Sequence, residues 1–479
     1  MKTVLAFDFG ASSGRAIKAS FDGEKIVSQE IHRFENIPVT IDGHMCHDVP
    51  MIVGEVKAAL QKAGQIDAFA FDTWGVDYAL IGADGKMLHM PFHYRDERTK
   101  DIADTIFAKI SREELYRETG NQIMNINTLF QLLADENRGS AESLLMMPDL
   151  FAYLFSGNRV CECSIASTTQ MFNPVAGQWS ETILQRFGIS ETLFPRLVPS
   201  ASITGEAEAY GGAKIVSIAG HDTQCAVAAM PCHSQENEAF LSCGTWSLIG
   251  CELDAPVLTE ESSRMGLSNE LGANNKINFL KNISGLWVIQ EIRRSLAKTD
   301  RKYSYNELEM MARDSEPFLC FIDPDNEMFA SPENLPDKIR AYCSQTGQTV
   351  PETTGALVRC VYESLALKYR YALEQISRCT GKTFALLHML GGGTKDGFLC
   401  ELTADSLGIP VEAGPVEATA LGNIILQLIA LGEVKDVEEG RRIIARTETV
   451  KTYTPAHTHG WQEAYERFVS VNFGSNETI

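Results

Sequence analysis

One short pattern occurs twice along this chain and limits the folds open to it. An apolar run, Thr3 to Phe9, leads through a turn of small residues, Gly10 to Gly14, into a second strand pattern, Arg15 to Phe21. At mid-chain, Glu238 to Leu241 leads through Ser242-Cys243-Gly244-Thr245 into Trp246 to Glu252. Identity between the two is slight, but both read as antiparallel hairpins. Two such openings in a chain of 479 residues, more than one hydrophobic core ordinarily serves, imply a duplicated α/β architecture. The boundary is expected near residues 226–237, where Pro231 to Asn237 is polar, giving domains 1–235 and 236–479.

Around the hairpins, helical and strand patterns alternate. Asp22-Gly23 signals a turn into a third strand, Lys25 to Arg33; a helix is predicted over Val49 to Ala63 and a buried strand over Ile66 to Asp72. Farther on, an apolar strand, Phe384 to Leu390, meets Gly391-Gly392-Gly393. A helix over Lys395 to Leu407, a strand over Ile409 to Ala413 and a helix over Ala418 to Leu431 follow.

The net charge of −21 argues against nucleic acid and anionic membranes as partners, since both select basic surfaces. No apolar run approaches the length of a membrane span, and Met1 to Gly10 lacks the pattern of a secretory signal, so a cytoplasmic location is expected. The twelve cysteines have no framework spacing and read as reduced, mostly buried thiols. Cys161 and Cys163 lack a second pair or a histidine at zinc-site spacing.

Five segments could carry chemistry. In Asp8-Phe9-Gly10-Ala11-Ser12-Ser13-Gly14-Arg15, small residues let backbone amides approach an anion, Arg15 offers a fork of donors, and Asp8 can hold Mg²⁺ through water. The same string also suits an ordinary turn. Ser242 to Ser247 is a second turn of this kind, and Gly391 to Gly393 permits close backbone approach near a helix N-terminus. In Gly220-His221-Asp222-Thr223, Asp222 is either a helix N-cap or a general base. In Asp72-Thr73-Trp74-Gly75-Val76-Asp77, Trp74 is either a sugar platform or a buried indole with a satisfied N–H, and downstream Arg95, Asp96 and Arg98 read as solvated charges or structural ion pairs.

Taken in order, these segments resemble the FGGY family of carbohydrate kinases, within the actin-like ATPase superfamily, from Val4 to Thr454. Pro415-Val416-Glu417-Ala418-Thr419-Ala420-Leu421-Gly422-Asn423 is similar to that family's C-terminal signature. The resemblance implies two actin-like (ribonuclease H-like) α/β domains with a nucleotide and sugar cleft between them. It implies ATP-dependent phosphorylation of a ketose with Mg²⁺, by a monomer or homodimer whose partners are small molecules. Asp222 is then the catalytic base. Ala11, Ser12, Ser13, Gly14, Arg15, Thr245, Gln290 and Gly392 would bind ATP, and Asp8 would hold Mg²⁺ through water. Gly75, His221, Asp222, Thr223 and Asn282 would bind the sugar. Two residues depart from the family pattern: Cys243 stands where Ser is expected, and Tyr94 where many members carry Trp. The rival readings are a kinase for a different ketose and an actin-like ATPase switch with no sugar acceptor.

Overall fold

The computed structural model describes residues 1–474 except 11, 232–236, 300 and 332. The chain opens with β1 (Lys2–Phe9), β2 (Ser13–Phe21) and β3 (Ile26–Glu35), then α1 (Val49–Ala63) and β4 (Ala68–Thr73). Later come β5 (Ser202–Ala207), β6 (Ala213–Ser217), α2 (Asp222–Ala228), β7 (Glu238–Cys243) and β8 (Trp246–Leu253). These precede β9 (Ser268–Leu271), β10 (Ile277–Ser284), α3 (Trp287–Thr299) and α4 (Thr354–Thr380). The C-terminal part holds β11 (Leu386–Leu390), α5 (Gly397–Leu407), β12 (Val411–Ala413), α6 (Ala418–Ala430) and β13 (Lys451–Tyr453).

Two compact units emerge: Met1–His233 with Glu252–Leu280 and Glu417–Glu448, and Ser234–Cys251 with Lys281–Val416 and Thr449–Ile479. The expected 235/236 boundary lies outside the described residues, and Ala226 to Ala228, placed near it by the sequence reading, still belong to α2.

In the first unit the strands run β5-β6-β4-β1-β2-β3. β1, β2 and β3 form an antiparallel meander, while β1–β4 and β4–β6 are parallel. The second sheet has seven strands, β13-β12-β11-β7-β8-β10-β9, of which the first six repeat this order, with β7–β8 and β9–β10 antiparallel and β7–β11 and β11–β12 parallel. The duplication inferred from two weakly similar hairpins is therefore a duplication of topology.

Local chemistry explains the elements read most directly. Asp48 caps α1 by accepting from the Met51 amide at 3.0 Å, and Gly64 ends the helix. Its buried residues, Val49, Ile52, Val56, Ala59, Leu60 and Ala63, fall at helical spacing along one stripe. In the Asp22 turn, Oδ1 accepts from the amides of Glu24 and Lys25. The second unit's apolar core gathers around α4, with Leu357, Val361, Leu365 and Tyr369 among its buried members. Among the described residues, no helix is long and apolar enough to cross a membrane.

Candidate active site

The expected site residues divide between the units. Asp8, Ser12, Ser13, Gly14, Arg15, Gly75, His221, Asp222 and Thr223 lie in the first; Thr245, Asn282, Gln290 and Gly392 lie in the second. Ala11 lies outside the described residues.

In the first hairpin the turn is shorter than its sequence suggests. Gly10 N–H donates to the Ser13 carbonyl at 2.9 Å, and Ser13 already begins β2. Strand register then sets Asp8 opposite Arg15 on β2 and opposite Asp72 on β4. Arg15 donates to both Asp8 and Glu417, so its guanidinium is held between two carboxylates. Asn423 on α6 donates to Asp72 Oδ2 at 2.7 Å, while Asp72 Oδ1 is buried without a hydrogen-bond partner. Burial raises the pKa of Asp8 against the opposing pull of Arg15. It raises that of Asp72 further, with Asp8 adding to the effect. Two buried carboxylates, one oxygen unpartnered, and one shared arginine leave surplus negative charge, a donor set that fits a hard divalent cation.

The α6 contacts come from the C-terminal signature. Gly422 is required there because a Cβ would lie 1.9 Å from the Cys225 carbonyl oxygen on α2. Gln427, one turn on from Asn423, donates to the Leu5 carbonyl of β1 at 3.1 Å.

The Gly220-His221-Asp222-Thr223 segment follows β6, and Thr73 N–H at the end of β4 donates to the Gly220 carbonyl at 2.9 Å. Asp222 is the first residue of α2, not its N-cap; the cap position belongs to His221. The Asp222 side chain is 33% exposed. Its Oδ1 accepts from the Thr223 amide at 2.7 Å and faces His221 Nε2 at 3.4 Å. Surrounding protein raises the Asp222 pKa, with the His221 charge opposing and Asp8 reinforcing the rise. A Cβ on Gly75 would lie 3.6 Å from the His221 ring, so the two residues are neighbours. Two buried acids went unnoticed in the sequence: Glu270, 3.0 Å from His221 Nδ1, and Glu162, which accepts from the Gly220 amide at 3.1 Å. Neither lies in a motif of small or turn residues that would have drawn attention to it.

In the second unit, the Gly244 and Thr245 carbonyls accept from the amides of Leu286 and of Gly285 and Trp287, seating the hairpin on the start of α3, where Gln290 occupies the first turn. Gly391 to Gly393 packs on the same hairpin: a Cβ on Gly393 would lie 2.3 Å from Cys243 Sγ. Cys243 is buried, and burial pushes its thiol up to about 12, so it acts as an inert packing group. Gly392, between them, is exposed and has open space where a Cβ would stand. The glycine run does not itself open a helix; a 3-10 turn, Gly392–Lys395, intervenes, and Asp396 caps α5 by accepting from Leu399 N–H at 3.1 Å. Asn282 lies on β10, in the part of that strand belonging to the second unit.

The structure decides two open readings. Trp74 is buried and donates its indole N–H to Asp77 at 2.9 Å, so it is a structural pillar and not a sugar platform. Asp96 and Arg98 are not solvated. Asp96 accepts from the Met45 amide at 2.8 Å, and Arg98 donates to Gln131 at 2.6 Å over the face of Phe92. Tyr94 is also buried, stacked on His93 with ring centroids 4.5 Å apart.

All described cysteines are free. Cys320, Cys343 and Cys360 bring their sulfurs within 4.8 Å of one another in the second unit's core. A trithiolate metal centre there would bury unpaired negative charge near Glu363, which already takes up Arg359 at 2.7 Å, so the trio is better read as core thiols.

Residues 3–229 match the FGGY family of carbohydrate kinases, N-terminal domain, and residues 239–431 match its C-terminal domain. The chain belongs to the FGGY family of carbohydrate kinases. This kinase is 40% identical to a protein named Rhamnulokinase from Bacteroides thetaiotaomicron, over 97% of this chain and 98% of that one. It is also 40% identical to a Rhamnulokinase from Enterococcus faecalis, over 94% of each chain. In structure it is similar to a xylulose kinase from Lactobacillus acidophilus, with a TM-score of 0.81, 16% identity and 98% of each chain covered. A Plasmodium falciparum glycerol kinase solved with ADP gives a TM-score of 0.76 at 15% identity over 98% of each chain. These likenesses place the kinase in the two-domain, actin-like (ribonuclease H-like) fold.

Proposed function

We propose that this kinase transfers the γ-phosphoryl group of ATP to the 1-hydroxyl of L-rhamnulose, giving L-rhamnulose 1-phosphate and ADP, a step of L-rhamnose catabolism in the cytoplasm. The observation that carries the substrate is near-full-length identity of 40% to proteins named Rhamnulokinase. The xylulose kinase likeness, at 16% identity, speaks for the fold alone.

Asp222 is the base. The Thr223 amide and hydroxyl and His221 Nε2 all meet Oδ1, which leaves Oδ2 to accept the sugar proton. The sugar oxygen then bonds to the γ-phosphorus as the bond to the ADP oxygen breaks, and the displaced proton rests on Asp222. Positioning matters more than base strength, because the transition state carries little bond to the attacking oxygen. Gly75, His221, Thr223 and Asn282 hold the sugar. Ser12, Ser13, Gly14 and Arg15 serve the ATP phosphates, and Thr245, Gln290 and Gly392 serve the nucleotide. Mg²⁺, held through water at Asp8 with Asp72 beside it, would offset phosphate charge.

The test is ADP release from MgATP across L-rhamnulose, L-fuculose, D- and L-xylulose, L-ribulose and glycerol, with wild type and Asp222→Asn. Preference for L-rhamnulose, lost in Asp222→Asn, supports the reading. Preference for another ketose keeps the mechanism and replaces the substrate. ATP hydrolysis unmoved by any sugar would favour a switch.

A further inference from the structure

His221 stands between two carboxylates, and its two ring nitrogens have different partners. Nδ1 meets Glu270 Oε2 at 3.0 Å; Nε2 faces Asp222 Oδ1 at 3.4 Å. Glu270 is itself clamped. Gln224 on α2 donates to the same Oε2 at 2.7 Å, and Asn278, opposite Glu270 in the β9–β10 ladder, donates to the side-chain Oε1 of Gln224. The anchor therefore sits on a paired strand.

We propose that Glu270 is a positioning residue that keeps His221 as a cation with Nε2–H turned to Asp222, and thereby keeps Asp222 ionised with Oδ2 presented to the sugar hydroxyl. The proposal rests on the reading of Asp222 as the base. A carboxylate at Nδ1 requires a proton on that nitrogen. A neutral ring would then point a lone pair at the Asp222 carboxylate, and two acceptors would oppose each other. A proton on Nε2 removes the conflict. The alternative, a proton on Asp222, would disable the base. The charged groups facing His221 are Glu270, Asp222 and Glu162, all acidic. Burial alone would lower the imidazole pKa, but Glu270 leads these groups in raising it above its ordinary value.

The experiment is the pH dependence of kcat/KM for the preferred ketose at saturating MgATP. Glu270→Gln keeps the shape and an acceptor but loses the charge. Its acidic limb should move up by about one pH unit, with activity returning above it, since loss of a neighbouring charge shifts a carboxyl by about that much. Glu270→Asp, which keeps the charge, should leave the limb near wild type. A uniform loss in Glu270→Gln with an unmoved limb would overturn the proposal and reduce Glu270 to a structural role. As a second measurement, ¹⁵N-histidine spectra of the wild-type protein, with the His221 signal assigned by its absence in His221→Asn, should show an imidazolium at pH 7. A neutral His221 there overturns the proposal whether or not the variants fold. If Asp222→Asn turns over normally, the reading of the base fails; if only the limb fails to move, that reading stands without Glu270.

Discussion

Gly393 lies so close to Cys243 that a Cβ built on it would stand 2.3 Å from the sulfur and 2.9 Å from the Cys243 carbonyl oxygen. Gly393→Ala must therefore push the glycine loop away from the hairpin that bears Thr245. Overpacking of this kind costs about 1–3 kcal/mol, read as a lower thermal midpoint, and KM for ATP should rise with it. Adding Cys243→Ala should recover only part of the loss, because the carbonyl clash remains. Full recovery by the double variant would place the whole conflict at the sulfur.

The surplus of carboxylates around Asp72 gives a second expectation. Asp72→Asn keeps an acceptor for Asn423 and removes an acid whose ionisation burial opposes, so the ligand-free protein should be more stable than wild type at pH 7 by about 1–3 kcal/mol. Mg²⁺ should raise the midpoint of wild type and raise that of Asp72→Asn less, while kcat falls in the variant. An equal Mg²⁺ response in both proteins would remove Asp72 from the cation's surroundings.

How far the sequence carries can be judged from particular residues. The helix 49–63 was legible because Asp48, Pro50 and the apolar stripe are local signals that agree. The phosphate hairpins and glycine loop were legible as runs of small residues. The partners that give them chemistry were not. Glu417 meets Arg15 from 402 residues away, Asn423 meets Asp72 from 351, and Glu270 meets His221 from 49. No periodicity reports contacts at such separations; they arise from the parallel strand order and from α6 packing on β1. Trp74 shows the converse. A tryptophan at a strand end suits a platform or a pillar equally, and only the position of Asp77 decides between them.

His221 links pH to stability. Burial would lower its folded pKa, but Glu270, Asp222 and Glu162 together raise it. Its contribution is thus fully present below the unfolded value of about 6.5 and is lost as pH rises through the folded value. Stability measured against His221→Asn should therefore be greater at pH 5.5 than at pH 8. A difference independent of pH would mean that the imidazole is neutral throughout.

The network beneath Trp74 predicts the opposite slope. Asp77 accepts from His47 at 2.7 Å, from Trp74 at 2.9 Å and from Gln131 at 2.8 Å. Burial would raise its pKa, but the His47 hydrogen bond and charge overcome this and hold it below the usual range. Its stabilising contribution is therefore present above the unfolded value of about 3.9 and disappears as pH falls through the folded value. Asp77→Asn turns a buried acceptor into a group that can satisfy fewer of these donors. A loss of about 3–5 kcal/mol at pH 7 is expected in denaturant titrations, the usual cost of breaking a buried pair on one side. The gap to wild type should narrow steadily below pH 4. A gap that stays constant into acid would show that the Asp77 charge is not what the variant removes, and that the loss comes from geometry alone.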